Sequence, residues 1–471
     1  MSQGVTKRVA ARVRRPWSRP FAVGTMLCLS LLLGACASYR PKPLPAQTDL
    51  AAAVPRVEID SDKLPRPQLF AHRFNAADGL DMTEVAQLAV LNDPDLRAQR
   101  LKARVARAQV FSARLLPDPQ LSLSGDHPTD STAGLFDAYG LGLDYDIKAL
   151  VTRPAAIDQA KASARQVDLD ILWQEWQVIQ QARLLYVQSL VQARKLGLQK
   201  AVRDLYADRY RRSSKALSQG NLTADVTGTD LTALMDADSQ VDQLARQLDK
   251  TRHDLNALLG LRPEVQITLS DLPQPALPDT MQVREALQLV ARRRPDLLAL
   301  QAGYASQEAA VRRAILAQFP SLSVGFNHAQ DTSNVHTVGV GVSLSLPIFN
   351  RNRGEIAVQK ATCEQLRAEY QLRLDRSIGQ ADELDAQAGL IARQQQRVQA
   401  RLPDLERLVR QTREGYETSE VGALTYLNME NTLLNKRLEL LDLEQALWET
   451  RIALDTVLAV PLDGMTKGGG L

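Results

Sequence analysis

Val338-Gly339-Val340-Gly341-Val342-Ser343-Leu344-Ser345-Leu346 alternates without interruption. Val338, Val340, Val342, Leu344 and Leu346 fall on one side, and Gly339, Gly341, Ser343 and Ser345 on the other. Successive side chains of a strand point to opposite faces, so the stretch is a strand with one apolar and one small or polar face. A strand of about 9–11 residues with lipid on one side and water on the other reads this way.

An earlier stretch repeats the pattern. Tyr139, Leu141, Leu143 and Tyr145 oppose Gly140, Gly142, Asp144 and Asp146, so the second face is wet and carries charge. A shorter alternating piece precedes each of these strands, through Leu121 and Leu123 in one case and through Leu322, Val324 and Phe326 in the other. The chain therefore offers four candidate spanning strands. A sheet edge left open in lipid leaves backbone groups unpaired, and closed membrane barrels start at about eight strands. Four strands cannot close alone, so several copies of the chain must build one barrel.

The strands belong to a duplicated unit. Pro94-Asp95-Leu96 recurs as Pro295-Asp296-Leu297, Pro119 as Pro320, Gly140 as Gly341 and Ile147 as Ile348, each pair 201 residues apart. One offset held through helix, strand, loop and strand marks an internal repeat. The repeats are expected over 81–260, with strands 119–126 and 139–147, and over 281–460, with strands 320–327 and 337–347. Residues 261–280, which hold Pro263, Pro273, Pro275 and Pro278, form a linker expected to wrap the outside of the helices.

Each repeat opens with a helix, from the capping box of Asp81 and Glu84 to about Leu116 in the first and to about Gln318 in the second. After the strands comes a much longer helix. Between Ala155 and Gln219 there is no proline and one glycine, Gly197; about 60 residues at 1.5 Å each reach roughly 90 Å. The second long helix, Glu355 to about Glu414, contains Pro403 and is expected to kink or break there. Turns near Ser218–Asn221 and Ser419–Gly422 reverse the chain. The returning helices, about Thr223–Leu259 and Ala423–Leu458, carry coiled-coil spacing, with Leu427, Leu434, Leu441 and Trp448 each seven apart.

The first 35 residues read as a separate object. Lys7, Arg8, Arg12, Arg14, Arg15 and Arg19 precede an apolar run from Phe21 to Leu33 and a small-residue cleavage site, the pattern of a secretory signal. Removing 1–35 leaves 51 basic residues against 54 acidic ones, so the formal +3 becomes about −3. Nothing then suggests nucleic-acid binding, which needs clustered positive charge. Leu33-Gly34-Ala35-Cys36 resembles the bacterial lipoprotein signal, which implies acylation of Cys36, and Ala37 resembles the signal for sorting to the outer membrane. Residues 36–80 would form a lipid-anchored leash, Pro-rich from Pro41 to Pro45, and 461–471 a C-terminal tail. With Cys28 removed and Cys36 acylated, Cys363 is the remaining thiol and is expected to be a packed helical side chain.

At Leu344-Ser345-Leu346-Pro347-Ile348-Phe349-Asn350-Arg351-Asn352-Arg353-Gly354-Glu355-Ile356 the chain resembles the TolC-like outer-membrane factors, the efflux channels of Gram-negative bacteria. The likeness extends over nearly the whole chain through the duplicated helix, strand, strand, helix, helix plan. It implies an α+β membrane protein: a homotrimer sharing a 12-stranded β-barrel, four strands per chain, continued by an α-helical coiled-coil tunnel. It further implies two partners, a periplasmic adaptor (membrane fusion protein) and an inner-membrane pump. The Phe-Asn-Arg-Asn-Arg-Gly run resembles the branch serving heavy-metal export by resistance-nodulation-division pumps, for cobalt, zinc, cadmium and nickel. Physically the run is a strand-to-helix corner: Pro347 ends ladder bonding, Asn350 or Asn352 can cap the helix, Glu355 suits its first turn, and Arg351, Arg353 and Gly354 complete the bend.

The family's periplasmic mouth narrows at a tyrosine and at rings of aspartates. Tyr416 matches the tyrosine. The aspartate positions correspond here to Thr425 and Asn428, a departure from the family pattern. Asp225 is the best match in the first repeat, and Glu417, Glu420 and Glu430 can supply negative charge nearby. Threefold rings of carboxylates would focus cations; the plainer reading is solvated charge at a helix tip. The turns at Gly220 and Gly422 are where an adaptor would dock.

No phosphate loop, metalloprotease helix, paired-cysteine zinc signature or nucleophile elbow is present, so neither catalysis nor a cofactor is expected. His72, His127, His253, His328 and His336 are scattered rather than set at ligand spacing, and no metal site is expected. The sequence thus reads as a passive, lipid-anchored outer-membrane duct that conducts heavy-metal cations outward. The alternatives are a duct for drug efflux or protein secretion, and a structural periplasmic coiled-coil lipoprotein, which would not need the alternation at Val338–Leu346.

Overall fold

A computed structural model of the chain describes residues 39–55, 74–75, 78–129, 134–275 and 279–460. The expectations for 1–35, Cys36, His72, Pro278 and 461–471 lie outside these residues, as does most of the leash. The chain divides into two units, Met1–Asp49 and Leu50–Leu471. Of the first, 39–49 is an exposed stretch without regular structure. The second contains α1 (Met82–Asn92), α2 (Pro94–Arg114), β1 (Gln120–Asp126), β2 (Ala138–Asp146), α3 (Ile147–Ser218), α4 (Ala224–Leu258), α5 (Thr280–Arg293), α6 (Pro295–Leu316), β3 (Leu322–Gln330), β4 (His336–Leu344), α7 (Arg353–Glu417) and α8 (Ala423–Leu458).

Local chemistry explains where these elements start and stop. The Asp81 carboxylate accepts the N–H groups of Thr83 and Glu84 at 2.7 and 2.8 Å, while Glu84 accepts the Asp81 N–H at 2.9 Å, completing the capping box. The single opening helix expected in each repeat is in fact two. The residue before proline is forced out of the α region, and Asp93 (φ −51°, ψ 122°) and Arg294 (φ −72°, ψ 117°) are both extended. Pro94 and Pro295 then begin new helices at a position where a missing N–H costs nothing.

Proline acts differently inside the long helices. α3 begins at Ile147, before Pro154, and α7 runs through Pro403 without the expected break. Pro403 is exposed, so water can satisfy the carbonyl its ring releases, while the packed face of α7 lies against α8. α3 and α4 form one hairpin and α7 and α8 the other. No helix among the described residues is long and apolar enough to cross a membrane.

The sheet is antiparallel throughout, in the order β1-β2-β3-β4. Its register joins the two repeats: Leu123 faces Leu141, Leu141 faces His328, and His328 faces Val338. Paired residues share a face, so Leu121, Leu123, Tyr139, Leu141, Leu143, Tyr145, Val324, Phe326, Val338, Val340, Val342 and Leu344 form one continuous apolar surface. Val340 on that surface is 76 % exposed and Leu123 is 75 % exposed.

The buried core lies among the helices. Val85, Leu88, Trp176, Tyr186, Leu255, Leu259, Trp448 and Ile452 form the larger cluster, and Val283, Ala286, Ala381, Leu454 and Leu458 a smaller one under α5. The linker packs against the larger cluster through Val265, Ile267 and Leu269 and is pinned by the bridges Ala51–Leu261 and Leu80–Leu269. Tyr186 donates to the Ser270 carbonyl at 2.7 Å. The two hairpins meet at a buried ion pair, Arg183 to Asp455 at 2.8 Å, with Gln180 accepting from the same guanidinium nitrogen at 2.8 Å. Cys363 is half-buried on α7, and burial, followed by the charge of Glu308, pushes its thiol pKa up, the behaviour of a packed side chain.

Candidate channel wall and helical tip

The face of the sheet opposite the apolar one carries Gln120, Ser122, Ser124, Asp126, Gly140, Gly142, Asp144, Asp146, Ser323, Gly325, Asn327, Thr337, Gly339, Gly341 and Ser343. Polar side chains here lie across glycines of the next strand. A Cβ on Gly140 would meet the Ser124 hydroxyl at 2.5 Å, one on Gly142 the Ser122 hydroxyl at 2.5 Å, and one on Gly339 the Asn327 amide oxygen at 2.6 Å. A Cβ on Gly325 would collide with the Asp144 carboxylate. Glycine thus allows the polar groups to lie flat, giving a smooth hydrophilic wall behind an apolar exterior. The four strands contain no Lys or Arg, and Asp126, Asp144 and Asp146 are their charged residues.

The corner after β4 is tighter than a simple cap. Arg351 and Asn352 both take left-handed backbone angles, φ 47° and 54°, each costing about 1–3 kcal/mol for a non-glycine residue. Asn352 occupies the N-cap position of α7, yet neither it nor Asn350 provides a side-chain cap. The Asn352 amide instead donates to the Ala314 carbonyl at 2.8 Å, tying the corner to the end of α6. Asn350 contributes its backbone carbonyl to the Arg353 N–H at 3.0 Å, and the Arg353 guanidinium reaches the Phe349 carbonyl at 3.2 Å. Pro347 lies three residues past the end of β4, as a ladder terminator should, and Gly354 sits in open space in the first turn of α7.

At the far ends of the helices the two turns solve one problem with different residues. Gly220 takes φ 74° after α3, whereas the left-handed residue after α7 is Ser419, φ 67°, and Gly422 is the extended N-cap of α8. Gly415 is needed for close approach, since a Cβ there would lie 2.7 Å from a Val421 methyl.

Tyr416 stacks on Tyr426 across this turn, with centroids 5.1 Å apart and planes 9° from parallel. Its hydroxyl accepts from Arg212 of α3 at 2.5 Å, and Asp208 holds the same guanidinium at 2.7 Å. This chain of contacts joins the tips of the two hairpins. Two of the four candidate acids are engaged by neighbouring side chains of their own helices. Glu417 pairs with Arg413 at 3.2 Å, and Glu430 accepts from Tyr426 at 3.2 Å. Asp225, Glu420, Thr425 and Asn428 are exposed. A hydrogen bond from the Thr223 hydroxyl, then its own backbone N–H, holds the Asp225 carboxyl below its ordinary value. Arg212 and Tyr426 escape sequence reasoning because the Tyr416 they contact lies on another helix, and Asp208 enters only through Arg212, one turn away on α3. Their signals were the Arg209–Arg212 basic run at the end of α3 and two tyrosines flanking one turn.

Comparison with known proteins agrees with this geometry. Residues 286–460 match the family "Outer membrane efflux protein". The chain is 26 % identical over 384 residues to the pyoverdine export outer membrane protein OpmQ of Pseudomonas aeruginosa, covering 76 % of each chain. It is 22 % identical over 393 residues to the cobalt-zinc-cadmium resistance protein CzcC of Cupriavidus metallidurans, covering 81 % of this chain and 91 % of that one. Among solved structures, CusC, studied for folding and transmembrane channel formation, superposes with a TM-score of 0.65 at 20 % identity over 84 % of this chain and 97 % of its own. The fold is that of the TolC-like outer-membrane channels: four antiparallel strands per chain joined to very long helical hairpins.

Proposed function

We propose that this chain is a TolC-like outer-membrane efflux channel, the passive outer duct of a tripartite export system. The observation that carries the reading is a four-stranded sheet with an exposed apolar face, a glycine-smoothed polar face and two open edges, β1 and β4. Such a sheet is stable in lipid only when copies pair edge to edge, and three copies give twelve strands with the polar face inward. The helical hairpins extend the duct into the periplasm. A periplasmic adaptor contacts the turns at Gly220 and Gly422 and links the duct to an inner-membrane pump, of the resistance-nodulation-division type in the system we favour. The pump supplies the energy and the duct does no chemistry. Cys36 is the proposed lipid anchor.

The contacts at Tyr416 form the proposed closure. Arg212 of the first hairpin holds Tyr416 of the second, so the tips stay together until an adaptor competes for them. Glu417 is paired with Arg413, so Asp225, Glu420 and Glu430, with the Asp144 and Asp146 carboxylates at the inner end of the sheet, supply the negative potential on the path.

Export of an organic substrate is the cargo reading that the relatives favour, since the pyoverdine exporter shares more identity with this chain than the metal-resistance protein does. Export of heavy-metal cations is the second reading, supported by the Phe-Asn-Arg-Asn-Arg-Gly corner and by the coverage of CzcC. The residues at the corner hold one another and the end of α6, so they bend the chain and need no cargo to explain them.

Mass in detergent together with single-channel conductance in planar bilayers tests the reading. A trimer with discrete, cation-preferring openings is expected. A monomer that does not insert would overturn the shared barrel and leave a structural helical lipoprotein.

A further inference from the structure

Three aromatic side chains meet at the outer end of the sheet's apolar face, one from each of three strands. Tyr139 comes from β2, His328 from β3 and His336 from β4. Register brings them together, because Tyr139 faces Gln330, Gln330 faces His336, and His328 lies one pair further along on the same face. The His328 and His336 ring centroids are 6.2 Å apart with planes 13° from parallel, and the Tyr139 ring lies 5.9 and 6.4 Å from them. The Tyr139 hydroxyl is 3.5 Å from His336 Nδ1. In the sequence the two histidines are merely neighbours of a polar loop; pairing β3 with β4 makes them a cross-strand diagonal pair.

We propose that His328 and His336 bind a borderline divalent transition-metal cation, of the zinc, nickel or copper type, at the outer rim of the sheet. The separation is within reach of one ion: 6.2 Å between ring centroids is less than twice the roughly 3.2 Å from ring centre to metal at a metal–nitrogen bond of about 2.0–2.1 Å. A nitrogen lone pair lies in the plane of its ring, so the two near-parallel rings turn about their side-chain torsions to aim at the ion. Imidazole is the ligand these cations share. Tyr139 is the positioning residue. Its hydroxyl engages Nδ1 of His336 and leaves Nε2 for the metal, the role that an outer-shell oxygen plays toward a ligating histidine. No Lys or Arg lies in the four strands to repel a cation. Among the described residues no three or more His, Cys, Asp or Glu gather as a metal site, so the shell is two imidazoles completed by water, open and exchangeable. A bound cation would clip β3 to β4 at the outer edge, where the ladder gives way to loop.

The site lies within one chain and does not depend on the channel reading. The test is titration of the purified, tag-free full-length protein with Zn2+, Ni2+ and Cu2+ by calorimetry, with Cu2+ electron paramagnetic resonance to identify nitrogen ligands. Expected are one site per chain, nitrogen superhyperfine structure, and weakening as pH falls and protons compete for imidazole. His328→Gln and His336→Gln should each lose the site, Tyr139→Phe should weaken it about 10–100-fold, and His127→Gln, which removes the partner of Asp137 at 2.6 Å, should leave it intact. Equal binding by wild type and the double variant His328→Gln/His336→Gln, or no binding by either, would overturn the proposal and leave the triad as an amphipathic belt at the membrane surface. Bilayer conductance of the double variant separates the two readings, since loss of metal with conductance intact bears on this site alone.

Discussion

At the scale of single residues, function and stability rest on contacts that cross between helices. The hydrogen bond from Arg212 to Tyr416 is exposed, and exposed polar pairs contribute little to folding, about 0–1 kcal/mol. It can therefore hold a tip closed and still yield to a partner. Arg212→Ala and Tyr416→Phe are expected to leave thermal stability nearly unchanged while raising the open probability in planar bilayers. Variants that stay as closed as the wild type would remove Tyr416 from the closure.

Asp170, on α3, is half-buried, and its pKa is raised by burial first, with Arg373 opposing and Asp296 reinforcing the shift. The folded value stands above the ordinary 3.8, so the folded state favours the neutral acid. That contribution is fully present below 3.8 and is lost as pH rises through the raised folded value. Asp170→Asn should accordingly be more stable than wild type near neutral pH, with the difference closing in acid. Urea melts at both pH values check this, and a neutral-pH loss in the variant would contradict it.

At the scale of elements, proline shows how context decides what a residue does. Pro94 and Pro295 break a helix because the residue before each is pushed out of the α region, and both sit at the starts of new helices. Pro403 has the same chemistry but lies on the exposed side of α7, deep within a helix that α8 holds along its length. Pro403→Ala should restore one backbone hydrogen bond and raise stability by about 1–3 kcal/mol, measurable by denaturant unfolding. No gain would mean that the surrounding helix has already absorbed the distortion. The opening capping box at Asp81, the four strands, both turns and the return helices were legible in the sequence to within a few residues, since each depends on local pattern. The split of the opening helices was written there too, in Pro94 and Pro295, but was hidden by apolar periodicity that continues on both sides.

At the scale of the whole molecule, the apolar face of the sheet is the feature that a single chain in water cannot tolerate. Val338, Val340 and Val342 are each more than half exposed, and in the channel we propose lipid covers them. Val340→Arg would place a charge on that face at about 2–4 kcal/mol if it lies near the bilayer midplane. It is expected to abolish membrane insertion while leaving the helical circular dichroism intact. Normal insertion of the variant would place this face somewhere other than in lipid.

The periodicity of Val338–Leu346, the repeat offset of 201 residues and the long proline-free run after Ala155 determined, without any coordinates, a duplicated chain of two-faced strands and long helices. These are properties of neighbours along the chain, and the alternation of a strand or the length of a helix follows from them directly. The partners of Arg212, Asp455 and Asn352, the flat seating of Asp144 over Gly325, and the meeting of His328 with His336 were decided by tertiary structure. All but the last join residues far apart in sequence, and even His328 and His336, eight residues apart, meet through the pairing of β3 with β4; strand register and helix packing choose those pairs.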